Sequence, residues 1–216
     1  MKIAVLGTGV VGNAIATKLV QLGHQVMMGS RTSNNEKATA WVQKAGSEAS
    51  QGTFADAAKF GEIIFNCTNG MSTLAVLQSA GAGNLKGKTL LDVSNPLDFS
   101  KGMPPSLFVG ITDSLGEQIQ KAFPEVNVVK TLNTVNCNVM VNPSLVPDDH
   151  DVFVSGNDAA SKVFVKEILT NWFGWKNVID LGDITGARCQ EMWLLIWVRL
   201  MGVFGTPNFN LHLVKA

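Results

Sequence analysis

Apolar and polar positions follow two rhythms along this chain, and the two take turns. Ile3-Ala4-Val5-Leu6 is a short apolar run leading into Gly7-Thr8-Gly9-Val10-Val11-Gly12, after which Ala14, Ile15, Leu19, Val20 and Leu22 recur at helical spacing until Gly23. Gln25-Val26-Met27-Met28 reads as a second strand, closed by Gly29-Ser30-Arg31-Thr32. The spacing then predicts a helix over 34–46 around Ala38, Trp41 and Val42, a short helix over 54–58 and a strand over 62–67. Thr68-Asn69-Gly70-Met71 closes that strand, and Ser72 is placed to cap the helix carrying Leu74, Val76 and Leu77. A strand over 89–93 ends in Ser94-Asn95-Pro96-Leu97, and a helix over 114–122 leads to a strand over 127–132 that ends in Asn133-Thr134-Val135-Asn136-Cys137-Asn138. The last alternation is a strand at 151–155, a helix over 158–173, a strand at 178–181 and a long helix over 185–204.

Such alternation builds an α/β fold, a Rossmann-type doubly wound and mainly parallel sheet with helices on both faces. Residues 1–155 make the expected nucleotide-binding domain, and 156–216 a small C-terminal helical segment packed on it. Ligands of these sheets bind beyond the carboxyl ends of the strands, where the strand order reverses. Those ends carry Gly-Thr-Gly, Gly-Ser-Arg, Thr-Asn-Gly, Ser-Asn-Pro and Leu-Asn-Thr, all polar or glycine-rich after apolar runs.

The spacing Gly7, Gly9, Gly12, set between a strand and a helix, is that of a dinucleotide cradle formed by Gly7, Thr8, Gly9, Val10, Val11 and Gly12. An NAD site wants an acid after the second strand, to take hydrogen bonds from the ribose 2′-OH, and none stands between Gly12 and Glu36. Ser30, Arg31 and Thr32 instead offer a guanidinium and two hydroxyls, which suit a 2′-phosphate, so NADP is the expected cofactor. Lys37, one turn on, would add charge; Arg31 and Lys37 also read as solvated surface residues. On the nicotinamide side stand Thr68, Asn69, Asn95 and Pro96; the two asparagines fit a ribose or carboxamide contact and equally an Asx turn.

With 216 residues and 17 basic against 17 acidic side chains, the chain carries no cluster suited to nucleic acid or an anionic membrane, so a small-molecule partner is expected. Cys67, Cys137 and Cys189 are widely spaced, which argues against disulfides and structural zinc. The chain opens directly on strand one with no leader pattern, so a cytoplasmic location is expected. The apolar stretch 192–204 is too short to span a bilayer and contains Arg199. Trp193, Leu194, Ile196, Trp197, Leu200 and Phe204 cover too much of that helix for a one-sided core stripe, which predicts a subunit interface.

Acid–base groups are scarce at the strand ends. The chain has no Tyr; His24 lies at the far end of the sheet, His150 in a polar loop read as solvated rather than metal-binding, and His212 near the chain end. Asp92 reads as buried, Asp98 follows the Asn-Pro turn, and Cys137 reads as a packed thiol. No catalytic side chain is therefore assigned. Hydride transfer between two redox cofactors needs none, which favours a flavin or deazaflavin acceptor.

These residues together resemble the family of NADPH-dependent oxidoreductases that reduce the deazaflavin coenzyme F420, whose nucleotide domain is shared with the STEAP ferric reductases. The resemblance rests on residues 1–12, Leu22-Gly23-His24, Gly29-Ser30-Arg31, Gly156-Asn157-Asp158 and the closing helix through Arg188, Glu191, Leu195, Arg199 and Met201-Gly202. It implies NADP at Thr8, Gly9, Val10, Val11, Ser30, Arg31 and Thr32, an acceptor stacked near Asn133-Thr134-Val135, and a dimer. Asn133, Thr134, Val135 and Asn136 replace a His-Thr-Ile-Pro-like strand end, and Thr68-Asn69-Gly70 an Ile-Pro-Trp-like turn. Both departures fall on the acceptor side, so Asn133, Thr134, Val135 and Asn136 are the expected substrate-binding residues. Two alternatives stand beside this reading. One is a carbonyl or imine reductase, although the few dozen residues after Ser155 leave little room for a catalytic helical domain, and Lys162 and Lys166 read as lying on a solvated helix. The other is a non-catalytic NADP-binding sensor.

Overall fold

A computed structural model describes residues 1–215. The first half runs β1 (Lys2–Leu6), α1 (Val10–Gln21), β2 (Gln25–Ser30), α2 (Glu36–Ala45), β3 (Ala49–Thr53), α3 (Phe54–Phe60), β4 (Ile63–Asn66), α4 (Gly70–Ala80), α5 (Ala82–Leu85) and β5 (Thr89–Asp92). A two-stranded hairpin, β6 (Leu97–Asp98) with β7 (Ser106–Leu107), follows, then α6 (Leu115–Ala122), β8 (Asn127–Thr131) and α7 (Cys137–Val141). The chain ends with β9 (Asp151–Gly156), α8 (Ala159–Glu167), β10 (Asn177–Asp180) and α9 (Ala187–Phe204).

Eight strands form one sheet in the order β10-β9-β8-β5-β4-β1-β2-β3. Every pairing is parallel except β8 with β9. Because β9 runs back along β8, residues 132–150 stay at the carboxyl end of the sheet, and α7 packs against α1 there. The order reverses between β1 and β4, which opens the crevice at that end. Period-two alternation divides β1 between two cores: Ile3 and Val5 join Ile15, Leu19, Trp41 and Val154 on one face, while Ala4 and Leu6 join Leu77, Leu90 and Ile119 on the other.

Besides α5 and the β6–β7 hairpin, which the apolar pattern did not predict, four elements differ from that pattern. Ala49-Ser50-Gln51-Gly52-Thr53 forms the edge strand β3 without an apolar run, held by its register on β2. Asn69, not Ser72, caps α4, its side chain accepting from Met71 N, so the helix starts at Gly70. The helix expected over 158–173 is regular only to Glu167 and continues as a π-helical turn over Ile168–Phe173. A separate helix, α7, follows the strand end at Asn136, whose side chain caps it. Beyond residue 155, β10 extends the main sheet and α9 packs on α6.

Candidate functional site

The turn from β1 to α1 has a shape that its glycines dictate. Gly7 sits at φ +117°, and a Cβ there would lie 2.7 Å from the Cys67 carbonyl oxygen, while one on Gly12 would lie 2.1 Å from the Gly7 carbonyl oxygen. Gly9 is different, since a Cβ there would meet nothing within 4 Å. Its extended backbone forms the N-cap of α1, with no side-chain cap and no acid in the first turn. The first-turn N–H groups therefore face open space with their partial positive charge unanswered, as a phosphate cradle requires.

At the end of β2, Ser30 is buried and its hydroxyl is tied to both the carbonyl and the N–H of Thr32, so it shapes the loop from within. Arg31 and Thr32 are exposed. A cleft of about 380 Å³ is lined by Thr8, Thr32, Asn34, Asn35, Glu36 and Lys37, which unites three predicted cofactor residues from two segments. Asn35 caps α2 by accepting from Lys37 N and Ala38 N at 3.1 and 3.2 Å, a role the sequence reading missed. Glu36 adds one carboxylate to this cleft. A larger cleft of about 1300 Å³ opens at Thr8, Gly9 and Val10 and is bounded by α1, α2 and α7.

At the strand ends expected to meet the acceptor lies a layer of amides. Asn95 donates to the Asn133 carbonyl at 2.9 Å, and Asn133 donates back to Asn95 Oδ1 at 2.9 Å and to the Gln190 carbonyl at 3.1 Å. Asn133, Thr134 and Val135 are buried, as is Pro96, so the first three do not present their side chains as a contact surface. Their burial follows from α9 lying over the strand end through Gln190, and Asn133 acts from behind by holding Asn95. Asn69 is exposed, Asn95 and Asn136 half-buried, and Asn136 accepts from Asn138 N at 2.9 Å. The buried Asn133 Oδ1, Thr134 Oγ1 and Gln190 Oε1 have no hydrogen-bond partner among the described residues, leaving acceptor capacity at this strand end.

Behind the amides lies a charged network. Lys130 is fully buried, with Nζ 2.8 Å from Asp92 Oδ2, 2.7 Å from Glu191 Oε1 and 2.6 Å from the Ser94 carbonyl. Asp92 Oδ1 accepts from Asn66 Nδ2 and from the N–H and hydroxyl of Ser94, and Asn66 Oδ1 accepts from Thr68 at 2.7 Å. Glu191 accepts from the N–H groups of Leu115 and Gly116 at 2.8 and 3.0 Å, where α6 begins. Burial works against the Lys130 ammonium, but Asp92 and Glu191 outweigh it and hold its pKa above the ordinary lysine value. Asn66, Asp92 and Lys130 are in-register neighbours on three adjacent strands, a signal present in the sequence as one polar residue late in each apolar run. Only Asp92 was read as buried from that pattern.

The other candidates resolve individually. Burial lowers the His24 pKa, and its ring packs 4.3 Å from that of Trp172, at the amino end of β2. His150 is not solvated: it is buried, with Nε2 2.9 Å from the Pro143 carbonyl and Nδ1 2.9 Å from Asn210 Nδ2. Lys162, expected on a solvated face, pairs with Asp180 at 2.9 Å. Burial pushes the Cys67 and Cys137 thiols up, with the Asp92 charge adding to the effect on Cys67, so both are neutral thiols. Among the described residues no cluster of His, Cys, Asp or Glu is placed to hold a metal, and no helix is long and apolar enough to cross a membrane.

Comparison with known proteins points to NADP-dependent oxidoreductases. The family described as NADP oxidoreductase, coenzyme F420-dependent, matches residues 2–96. An Arthrobacter sp. FB24 protein, solved as a candidate F420-dependent NADP-reductase, is 50% identical over all of both chains, with a TM-score of 0.94. The F420-dependent NADP reductase of Methanothermobacter marburgensis is 27% identical over 202 residues, 88% of each chain. The rat metalloreductase STEAP3 is 29% identical over 211 residues; the match takes in 96% of this chain, which spans only 38% of that relative. A reductive aminase of Aspergillus terreus solved with NADPH shares the fold at 18% identity and a TM-score of 0.66, covering 94% of this chain and 62% of that one. The open cradle at Gly9, the uncapped start of α1 and the Arg31 and Lys37 cations fit NADP, the cofactor of this family. The chain belongs to the family of coenzyme F420-dependent NADP oxidoreductases.

Proposed function

We propose that the protein transfers hydride between NADPH and a flavin- or deazaflavin-type acceptor. The observation that carries this reading is the chemistry of the acceptor side. Its accessible groups there are the amides of Asn69, Asn95 and Asn136, which orient a ligand by hydrogen bonds and exchange no proton near neutral pH. The neighbouring Cys67 and Cys137 thiols are held neutral by burial, and the charged groups behind them, Asp92, Lys130 and Glu191, are buried and joined through the Lys130 ammonium. A carbonyl or imine needs a proton as it takes hydride, whereas a flavin ring delocalises the incoming charge itself. NADPH, when bound, supplies the hydride from its nicotinamide ring. In this reading the Gly7–Gly12 turn grips the pyrophosphate, while Arg31, Thr32 and Lys37 receive the 2′-phosphate over a loop braced by Ser30. Thr68, Asn69, Asn95 and Pro96 then frame the nicotinamide end, and Asn136 meets the acceptor.

Being a hydride carrier between soluble cofactors, the protein would act in the cytoplasm, as a homodimer joined through the exposed face of α9. Stopped-flow mixing of NADPH-loaded protein with coenzyme F420, FMN and FAD tests the central claim by following loss of reduced-nicotinamide absorbance. Rapid oxidation by at least one of the three is expected. Turnover only with a carbonyl or imine, or NADPH binding without turnover, would overturn it.

A further inference from the structure

Two strand ends exchange amide bonds at the carboxyl end of the sheet, and the exchange fixes which way each amide faces. Asn133 donates from Nδ2 to the Gln190 carbonyl at 3.1 Å and to Asn95 Oδ1 at 2.9 Å, while Asn95 donates from its own Nδ2 to the Asn133 carbonyl at 2.9 Å. A backbone carbonyl only accepts, so the Gln190 carbonyl demands the Asn133 nitrogen and the Asn133 carbonyl demands the Asn95 nitrogen. Turning either amide over would set oxygen against oxygen. The lock has a cost, because Asn133 Oδ1 is left buried with no partner among the described residues. Leu132, just before it, is a fully buried leucine at φ +60°, in the left-handed region that favours glycine. An unsatisfied amide oxygen and a strained backbone thus stand side by side where the chain leaves β8.

What the lock leaves open is specific. Asn95 is half-buried, and its amide keeps one N–H on Nδ2 and one lone pair on Oδ1 for a ligand, in an order that cannot be exchanged. A freely turning asparagine greets either end of a carboxamide; a locked one tells its oxygen from its nitrogen. The carboxyl end of β5 lies roughly 10 Å across the sheet from that of β1, two strand spacings away, a span suited to the ribose and ring that follow a pyrophosphate. Turning a nicotinamide over about its glycosidic bond swings the carboxamide to the opposite side of the ring. A side chain that holds the carboxamide in one place therefore also chooses which face of the ring looks outward.

We propose that Asn133 is a positioning residue for hydride transfer: it holds the Asn95 amide in one orientation, so that Asn95 takes the nicotinamide carboxamide in one pose and one face of the ring meets the acceptor. This rests on the hydride-transfer reading and adds to it the pair of residues that sets the stereochemistry. Asn133 is itself buried behind Asn95, so its effect passes through that one side chain. The Gln190 carbonyl makes α9 the anchor of the lock, because the helix fixes where the Asn133 nitrogen must point.

The test compares the wild type with Asn133→Leu, which keeps the bulk and removes the amide, and with Asn133→Ser, whose side chain is too short to reach both Asn95 and Gln190 and which serves if the leucine does not fold. Thr131→Val is the control, since it loses a buried hydroxyl bond to the Phe153 carbonyl two residues away on the same strand. Transferred nuclear Overhauser spectra of bound NADP report the pose directly, through contacts from the anomeric ribose proton to the ring protons on either side of the nicotinamide nitrogen. In the wild type and the control one of these contacts should exceed the other by at least about fivefold, the weight of one hydrogen bond, and in the Asn133 variants the two should come within about twofold. With coenzyme F420 as acceptor and NADPH deuterated at the pro-R or the pro-S position, the wild type should pass deuterium from one of the two alone, and the Asn133 variants from both. Asn133 variants that keep either the single pose or the strict stereochemistry would overturn the proposal, as would a wild type with two poses. The same loss in Thr131→Val would also overturn it, by showing general damage to the strand. If no acceptor is turned over, the hydride-transfer reading fails, and the spectra of bound NADP then decide by themselves whether Asn133 sets the pose.

Discussion

Gly9 and Gly12 are the same residue type in one motif, yet the structure gives them opposite jobs. A methyl group on Gly12 would press on the Gly7 carbonyl at 2.1 Å, whereas one on Gly9 would stand in open space with an ordinary extended backbone. Gly12→Ala should therefore cost stability, about 3 kcal/mol from overpacking backbone against backbone, seen as a lower denaturation midpoint. Gly9→Ala should unfold like the wild type but bind NADPH at least about tenfold more weakly in a fluorescence titration, because its methyl occupies the ligand's place. A loss of stability in Gly9→Ala would show that the turn, not a ligand, demands that glycine. At the adenosine end, Arg31→Ala should raise the NADPH dissociation constant about tenfold or more and that of NADH less than about twofold, since only NADPH carries the 2′-phosphate. Equal small effects on both cofactors would show Arg31 to be a solvated loop residue. The cradle was legible in the sequence because its demands are local, one residue per backbone constraint. The inward turn of Ser30 and the capping by Asn35 were not legible, because a hydroxyl or an amide on a loop fits solvent, ligand and backbone equally well until its neighbours are placed.

Strands and helices were readable wherever an apolar run had to bury itself, and unreadable where a partner supplied the order. Edge strand β3 has no apolar run of its own and exists through its pairing with β2. The buried network shows the same dependence more sharply. Lys130 looks like a surface lysine in Asn127-Val128-Val129-Lys130-Thr131, and becomes a core residue only when β5 and α9 bring Asp92 and Glu191 to it. Through that network α9 is bolted to β4, β5, β8 and the start of α6, and Gln190, the neighbour of Glu191, holds Asn133. Lys130→Met removes the cation that pairs with Asp92 and Glu191 and leaves the two carboxylates buried together, so it should destabilise the protein by about 3–5 kcal/mol in chemical denaturation. Lys130→Met/Asp92→Asn/Glu191→Gln should recover much of that loss, because no uncompensated charge is then left in the core. If the triple variant were no more stable than the single one, shape at this site would outweigh charge.

At the scale of the whole molecule, one change of strand direction, between β8 and β9, decides where function can gather. A parallel β9 would have needed a crossover on a face of the sheet; the antiparallel one keeps residues 132–150 at the carboxyl end, where α7 and Asn136 wall the cleft beside α1. The sequence could not show this, since strand direction leaves no mark on an apolar run. It did show a last helix with more apolar surface than one core can take, and the structure sorts that surface. Ala187, Leu194 and Val198 face inward with Gln190 and Glu191, and Trp197 stacks on Phe209. Leu195, Ile196 and Val203 remain outside with Leu213 and Val214 of the chain end, and Ile196 and Val203 are seven residues apart, on one stripe of α9. A stable dimer would bury roughly 800 Å² on each partner, more than one helix stripe supplies, so the proposed dimer would need the chain end to share the contact. Ile196→Asp/Val203→Asp should therefore shift sedimentation from dimer to monomer at micromolar concentration, while both positions, lying outside the core, leave the monomer's circular dichroism unchanged. Wild type that sediments as a monomer would instead assign this stripe to a partner other than a second copy, and a dimer that survives both aspartates would place the interface elsewhere on the molecule.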